Sequence, residues 1–185
     1  MKTKEKFRND ILTSLQRQLK LDNLFSLPRP KKVVVNIGAG RLRDPKDHEE
    51  VIKVLTLITG QKPVARGAKK AIASFKTRQG QIVGFKVTLH GQRMWDFLER
   101  LSAIVLPRVR DFRGLSSSAV DAGGNLTIGF REHIVFPEVS NEDVRHIFGL
   151  EVTIVLEAKD REEAMAWYRA VGFPLVGEPL KIKRN

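Results

Sequence analysis

Residues 83–90 read Val-Gly-Phe-Lys-Val-Thr-Leu-His, and this stretch decides the class of fold. Its large apolar residues occupy every second position, and the positions between them hold glycine, lysine, threonine and histidine. Successive side chains of a β-strand point to opposite faces of a sheet. The alternation therefore predicts a strand with one face in the core and the other face polar and basic.

Two helices and a second strand are predicted before this stretch. Apolar residues spaced four apart predict a helix over residues 7–21, which two prolines end. The β-branched run at residues 32–38 predicts a buried strand. Asp44 is a suitable N-cap with a proline after it, so it predicts the start of another helix, which Gly60 ends.

The second half of the chain mixes helices and strands without regular spacing. In chain order it predicts a helix over residues 94–104, which Pro107 ends, and a loop rich in serine, glycine and arginine over residues 108–125. Two short alternating strands follow, over residues 126–130 and 152–156. The last predicted element is a helix with a capping-box-like start, over residues 160–172. No internal repeat is visible. The sequence predicts a single α+β domain, residues 1–185, whose mostly antiparallel sheet has helices on one face and an open polar face.

The positive charge of the chain is concentrated in two segments. The 185 residues include 33 Lys and Arg against 21 Asp and Glu, a net charge of +12. The excess lies in a basic N-terminal arm, residues 1–32, and in residues 51–95, which hold nine basic residues and no acidic one. Such a stretch predicts a polyanionic partner. A nucleic acid is favoured over a membrane surface, because residues 61–91 lack a basic amphipathic helix.

Several classes of protein and site are excluded by composition and spacing. Without cysteine there is no disulfide, thiol nucleophile or cysteine-bound metal. The four histidines never lie within four residues of one another, so no helical metal pair forms, and no metal or other cofactor is predicted. The acidic residues cluster in first turns of helices, where capping explains them, so no catalytic residue is predicted. No charge-free run exceeds nine residues and no signal segment is seen, which predicts a cytoplasmic protein.

The sequence Gly38-Ala39-Gly40 leaves a second class of function open. It follows a predicted strand and precedes a predicted helix, as the glycines of a dinucleotide-binding loop do. Arg43, however, stands where that loop needs a small residue, and a tight turn is the favoured interpretation. A nucleotide-dependent enzyme or an RNA-binding regulator is therefore the alternative to a structural RNA-binding protein.

Residues 69–80 are the densest candidate for an RNA contact. They combine four basic side chains, two hydroxyls, one aromatic ring and a glycine. Lysine and arginine neutralise phosphates, hydroxyls bond phosphate or ribose oxygens, and Phe75 or Arg78 could stack on a base. The alternative is a basic hairpin whose Phe75 packs in the core, and for Phe75 alone this alternative is favoured. With few apolar side chains to anchor it, residues 74–81 are predicted to be mobile in the free protein.

A second arginine-rich segment follows Pro107. Here Arg108, Arg110 and Arg113 surround Asp111 and Phe112, so the positive charge is partly balanced. This composition suits a structural Arg–Asp cluster or a protein interface as well as an RNA contact.

Several segments, in order, resemble the family of the bacterial large-subunit ribosomal protein number five, the 5S-rRNA-binding protein of the central protuberance. The resembling segments are residues 32–36, 57–63, 68–76, 86–89, 106–115, 124–125, 134–138 and 152–154. The resemblance extends over residues 24–174 and is most specific around Arg110. A basic tail, residues 176–185, extends beyond the usual end of the family.

The resemblance implies a structural, non-enzymatic protein of the cytoplasmic ribosome with three contact sites. It implies 5S rRNA contacts at Asn36, Gln61, Lys62, Lys69, Lys70, Lys86, Thr88 and His90, the last of which stands where the family usually has arginine. It implies contacts with P-site tRNA at Ser74, Phe75, Lys76, Thr77, Arg78, Gln79 and Gly80. It implies a bridge to a protein of the small-subunit head at Arg108, Arg110, Asp111, Phe112 and Arg113. Other implied partners are 23S rRNA and neighbouring proteins of the central protuberance.

Overall fold

A computed structural model describes residues 4–19, 23–42, 44–139 and 146–176. The helices of this part are α1 Lys4–Leu19, α2 Pro45–Thr59, α3 Gly91–Arg100, α4 Leu106–Arg108 and α5 Arg161–Val171. The strands are β1 Arg29–Gly38, β2 Val64–Gly67, β3 Ile82–Leu89, β4 Leu115–Ser116, β5 Leu126–Phe130, β6 Leu150–Glu157 and β7 Leu175–Val176. A π-helical turn, Leu101–Val105, separates α3 from α4. No helix of the described part has the length and apolar character needed to cross a bilayer.

The described strands form one large sheet and one small ribbon. Five strands make a mostly antiparallel sheet in the order β2-β3-β1-β6-β5. Strands β4 and β7 pair in parallel, with Leu115 opposite Leu175. The predicted α+β class and mostly antiparallel sheet are confirmed.

Strands β1, β3, β5 and β6 each bury alternate side chains. In β3, Phe85, Val87 and Leu89 are buried, while Lys86 and Thr88 between them keep partial access to solvent. The buried alternate residues of the other three strands are Val33, Val35, Ile37, Leu126, Ile128, Phe130, Leu150, Val152, Ile154 and Leu156. Because side chains alternate across a strand, the sheet has one core face and one open face, as the sequence predicts.

Internal contacts divide the chain into two compact units. Unit 1 consists of Met1–Val33, His90–Ile128 and Thr153–Asn185, and unit 2 of Val34–Leu89 and Gly129–Val152. In unit 1, α1 packs on α5, and the buried Tyr168 hydroxyl donates to the carbonyl oxygen of Gly124 at 2.9 Å. In unit 2, α2 packs on β3. Strands β1, β5 and β6 each begin in one unit and end in the other.

Local capping explains the bounds of α2 and α5. The Asp44 carboxylate accepts the N–H of Lys46 at 2.9 Å, and Gly60, with φ of +66°, donates its N–H to Thr56. The Asp160 carboxylate accepts the N–H of Glu163 at 2.8 Å. These contacts satisfy N–H and C=O groups that a helix end leaves without partners. The predicted caps are therefore confirmed.

Other boundaries differ from the predicted ones. Helix α1 begins three residues earlier than predicted, and the end predicted at residues 20–21 lies outside the described residues. Strand β1 also begins three residues earlier than predicted, so Pro30 lies inside it. The predicted loop 108–125 contains β4 and a short 3-10 helix, Ser117–Ala119, because Leu115 and Val120 are buried.

The helix predicted over residues 94–104 was wrong at its C-terminal end. Ile104 was expected on the apolar stripe but is 40% exposed, and Pro107 lies inside α4 instead of ending the helix. The π-helical turn is the reason, since its extra residue rotates the next turn of the chain and brings Val105 and Leu106 to the core. Proline is tolerated at Pro107 because the first turn of a helical segment does not require its N–H.

Gly84 allows an unusually close approach between β3 and β1. A Cβ atom at this position would lie 2.8 Å from the carbonyl oxygen of Ile37. Backbone cannot move away as a flexible side chain can, so we expect Gly84→Ala to destabilise the protein by about 1–3 kcal/mol. Denaturant unfolding of the purified protein measures this change.

Gly38→Ala is the matched control on β1, because its Cβ would meet nothing within 4 Å. We expect it to change the free energy of unfolding by about 0.5 kcal/mol or less. Equal effects of the two substitutions would contradict the steric explanation.

Candidate RNA interface

Three predicted rRNA-binding side chains lie on the open side of two adjacent strands of unit 2. Asn36 lies on β1, and Lys86 and Thr88 lie on β3, its neighbour in the sheet. Asn36 is exposed, and Lys86 and Thr88 are half-buried. All three alternate with buried residues, so they project from the face opposite the core. Together with Gln61 and Lys62 they form the basic face.

The chain after α2 brings Gln61 to the edge of this face. The Gln61 side-chain amide donates to the carbonyl oxygen of Thr88 at 3.3 Å, and the Thr59 hydroxyl lies 3.1 Å from the carbonyl oxygen of Gln61. These bonds connect the end of α2 to β3. They leave Lys62 exposed between Gln61 and the buried Pro63. Gln61 therefore has a structural role besides its predicted contact with rRNA, while the exposed Lys62 side chain is accessible to a phosphate.

Strand β2 adds a basic residue that the sequence analysis missed. In the antiparallel pairing of β2 with β3, Val64 lies opposite Lys86 and Arg66 lies opposite Gly84. Directly opposed residues project from the same face, so Arg66 lies on the side of Lys86. All four residues of β2 are exposed. An edge strand exposed on both faces has no alternation, and only the absence of acidic residues nearby could have indicated Arg66.

Residues 67–82 form a basic hairpin that continues β2 and β3 past the point where these strands leave the sheet. The backbone N–H of Ala68 donates to Gln81 at 2.8 Å, and Ile72 and Thr77 exchange hydrogen bonds of 3.0 and 3.1 Å nearer the tip. Mobility of residues 74–81 stays a prediction. However, the described backbone of the hairpin has hydrogen bonds of its own, so its order does not depend on a partner alone.

The tip of the basic hairpin holds Phe75 away from the core. The short 3-10 helix Ala73–Phe75 is followed by Lys76 in the left-handed region, with φ of +51°. Phe75 is 74% exposed, so the expectation that it packs in the core was wrong. The reason is that a two-stranded hairpin extending past the sheet has no second layer against which a ring could pack.

The other predicted residues of the hairpin are also accessible. A shallow open depression is lined by Ala73, Lys76, Thr77, Arg78 and Gln81. Further exposed residues of the hairpin are Lys69, Lys70, Ser74, Gln79 and Gly80. The Thr77 hydroxyl donates to the carbonyl oxygen of Phe75 at 3.3 Å, so its lone pairs remain available. The tip thus presents two cations, hydroxyl groups and an aromatic ring.

His90 and the arginine-rich loop belong to unit 1. The exposed His90 ring has Nδ1 3.2 Å from the carbonyl oxygen of Lys31. Arg108, Arg110 and Arg113 are exposed, and Phe112 is half-buried. No ion pair in the described part of the chain joins Asp111 to these arginines. A structural Arg–Asp cluster is therefore not formed there, and the three guanidinium groups are available to a partner.

Gly38-Ala39-Gly40 forms a turn, as the favoured interpretation predicts. Ala39 is buried, donates its N–H to Val83 at 2.9 Å and accepts the N–H of Leu42 at 3.0 Å. Its backbone is thus used inside unit 2. A phosphate loop would need these N–H groups turned toward a ligand, so the nucleotide-binding alternative gains no support.

The described titratable groups with a perturbed pKa are not members of the basic face. Burial lowers the pKa of His133 and raises the pKa of Tyr168, and the side-chain hydrogen bond from Asn125 lowers the pKa of Asp121. Tyr168 and Asp121 bond to their neighbours and have structural roles. The fold also brings His146 next to Asp47 and Glu50, a cluster that the spacing of the histidines in the sequence did not indicate.

Comparison with known proteins identifies a family. A model of the C-terminal region of the ribosomal L5 family matches residues 82–175, and one described as "Ribosomal protein L5" matches residues 23–78. The chain is 47% identical over 174 residues to "Large ribosomal subunit protein uL5" of Mycoplasma pneumoniae, which covers 94% of this chain and 97% of that protein. The protein of the same name from Halothermothrix orenii is 46% identical over 171 residues, 92% of this chain and 96% of that protein. The one from Chloroflexus aurantiacus is 43% identical over 175 residues, 94% and 97% of the two chains.

Proposed function

We propose that this protein, which belongs to the ribosomal protein L5 family, binds 5S rRNA through its basic face. Members of this family are structural constituents of the large ribosomal subunit and are not enzymes. The protein therefore sits in the ribosome in the cytoplasm, among rRNA and ribosomal proteins. Its specific RNA and protein partners are inferred from the surfaces of the chain.

The observation that carries the proposal is the chemistry of the basic face. Lys62, Lys86 and Arg66 supply charge for phosphates, while Asn36 and Thr88 supply hydrogen bonds for ribose hydroxyls and base edges. A-form RNA offers a wide and shallow minor groove, which a sheet face can approach. Lys69 and Lys70 extend the charge along the hairpin, and His90 would add a contact where β3 ends.

The neighbouring strand limits where RNA can lie on this sheet. Glu151 is exposed on β6, the strand next to β1 on the side away from β3. A carboxylate repels phosphate, and no acidic residue occurs in residues 51–95. We therefore expect the RNA backbone to follow β2, β3 and β1 and to avoid β6.

The experiment that tests this proposal is the salt dependence of 5S rRNA binding by Lys62→Ala. If Lys62 neutralises one phosphate, its loss should lower affinity by about tenfold and reduce the slope of log affinity against log salt by about one. Filter binding at several salt concentrations measures both quantities.

Two control variants make the result specific. Asn36→Ala should weaken binding with little change of slope, because the amide contributes hydrogen bonds and no charge. Lys46→Ala removes an exposed lysine in the first turn of α2 and should change neither quantity. Unchanged affinity and slope in Lys62→Ala would remove Lys62 from the interface.

The basic hairpin is proposed to contact P-site tRNA. Its tip residues Phe75, Lys76 and Arg78 are exposed, and they suit a partner with phosphates and unstacked bases. The paired strands below the tip hold these groups beyond the edge of the sheet. The hairpin can therefore reach a second RNA while the basic face holds the first.

The arginine-rich loop is proposed to bridge to a protein of the small-subunit head. Leu106, which precedes the loop in sequence, is buried. Leu115, which follows the loop, is also buried and donates its N–H to the carbonyl oxygen of Pro174 at 2.8 Å. These anchors present three exposed guanidinium groups on a short segment. Arginine is favoured at protein interfaces. The family resemblance supports 23S rRNA and neighbouring central-protuberance proteins as further partners.

A further inference from the structure

Three side chains from distant parts of the sequence meet on one side of α2 in unit 2. Asp47 and Glu50 lie three residues apart on this helix, so their carboxylates project from the same face. His146 lies shortly before β6. Its Nδ1 atom is 3.6 Å from Oδ1 of Asp47 and 3.5 Å from Oε2 of Glu50. The three candidate ligand atoms all lie within 4.8 Å of one another.

These separations suit a shared metal ion. Zinc binds nitrogen and oxygen ligands at about 2.0–2.2 Å, so two ligands of a tetrahedral ion are roughly 3.4 Å apart. The two distances from the imidazole are close to this value without any movement of the backbone. The backbone N–H of His146 also approaches Oε1 of Glu50, at 3.4 Å, and leaves Oε2 on the side of the imidazole. Such outer contacts orient metal ligands.

Burial gives a physical reason for a cation at this position. The Asp47 and Glu50 side chains are only 22% and 14% exposed, while the His146 side chain is 53% exposed. Two carboxylates held close together and partly out of water repel each other, and a positive charge between them relieves the repulsion. The more exposed imidazole leaves a path for the ion and for water.

We propose that Asp47, Glu50 and His146 bind one divalent transition-metal ion of the Zn²⁺ type, with water completing its coordination. Imidazole selects such an ion over Mg²⁺ and Ca²⁺, which prefer oxygen ligands alone. The bound ion links residues 146–149, which directly precede β6, to α2. This proposal departs from the sequence-based expectation of no metal, which considered only histidines close to each other in sequence. This inference is independent of RNA binding.

Calorimetric titration of the full-length protein with Zn²⁺, after chelator treatment and without RNA, tests the proposal. We expect one ion per chain and an affinity at least tenfold weaker in His146→Gln and in Glu50→Gln. Glu49→Gln is the matched control, since it removes an exposed carboxylate one residue along the same helix and should bind as the unmodified protein does. Co²⁺ in place of Zn²⁺ should give the intense visible absorption of a low-coordinate site.

A second measurement distinguishes loss of metal binding from loss of folding. Zn²⁺ should raise the thermal unfolding midpoint of the unmodified protein and of Glu49→Gln but not that of His146→Gln. His146 is half-exposed, so its substitution should leave the metal-free protein folded. Absence of binding up to about 1 mM Zn²⁺, or equal binding by His146→Gln, would overturn the site and leave only a cluster of two carboxylates and an imidazole in contact.

Discussion

Substituting three exposed side chains at the tip of the basic hairpin should weaken retention of P-site tRNA by about a hundredfold or more. The variant is Phe75→Ala, Lys76→Gly, Arg78→Ala. It removes two phosphate-binding cations and one stacking surface, each of which contributes about 1–3 kcal/mol to nucleic-acid binding. Glycine replaces Lys76 because φ at this position is +51°, which an alanine would adopt only with strain. The rate of tRNA dissociation from reconstituted ribosomes measures the effect.

Folding and 5S rRNA binding should stay near those of the unmodified protein. The three side chains are exposed, and exposed substitutions usually change the free energy of unfolding by less than about 0.5 kcal/mol each. Leu57→Ala with Lys46→Ala is a matched control, since it removes an exposed apolar residue and an exposed lysine from α2. If the hairpin variant loses 5S rRNA and keeps tRNA, the hairpin belongs to the rRNA interface.

Reversing two charges in the arginine-rich loop should impair subunit joining. We expect Arg110→Glu with Arg113→Glu to raise the concentration of large subunits needed for association by about tenfold or more, because like charges placed across an interface cost several kcal/mol. Affinity for 5S rRNA should be unchanged, since both residues lie outside the basic face. Sucrose-gradient sedimentation of reconstituted subunits at several magnesium concentrations measures the association.

The control for this variant must lower the net charge equally. Arg17→Glu with Lys159→Glu does so at two exposed positions of unit 1. Normal joining in this control would show that position matters and total charge does not. Equal loss of joining and of 5S rRNA binding in the loop variant would mean that the loop supports the fold and is not a bridge.

The elements that the sequence predicted correctly are those whose signal is local. Strand β3 follows from alternation over eight residues, and the bounds of α2 follow from Asp44 and Gly60, which act within one helical turn. The errors occurred where a neighbouring element decides. Phe75 looked like a core residue by its chemistry, yet the hairpin carries it past the sheet. The π-helical turn changed which residue of the helix after Leu101 faces the core.

The residues of the predicted contact sites divide in the same way. Alternation alone placed Asn36 and Thr88 on an open face, and composition alone identified residues 51–95 as basic. The pairing of β2 with β3 was needed to find Arg66, because an edge strand exposed at every position has no periodic pattern. Of the predicted tail, residues 176–185, Val176 belongs to β7, and residues 177–185 lie outside the described residues.

The sequence by itself determined that this is a basic α+β protein whose sheet has a core face and an open polar face. It could do so because the side-chain period of a strand and the sum of charges are properties of the chain. Only the tertiary structure decided which groups meet, such as Gln61 with Thr88 or His146 with Asp47 and Glu50. Periodicity specifies the face from which a side chain projects, but it carries no information about which distant segment packs beside that face.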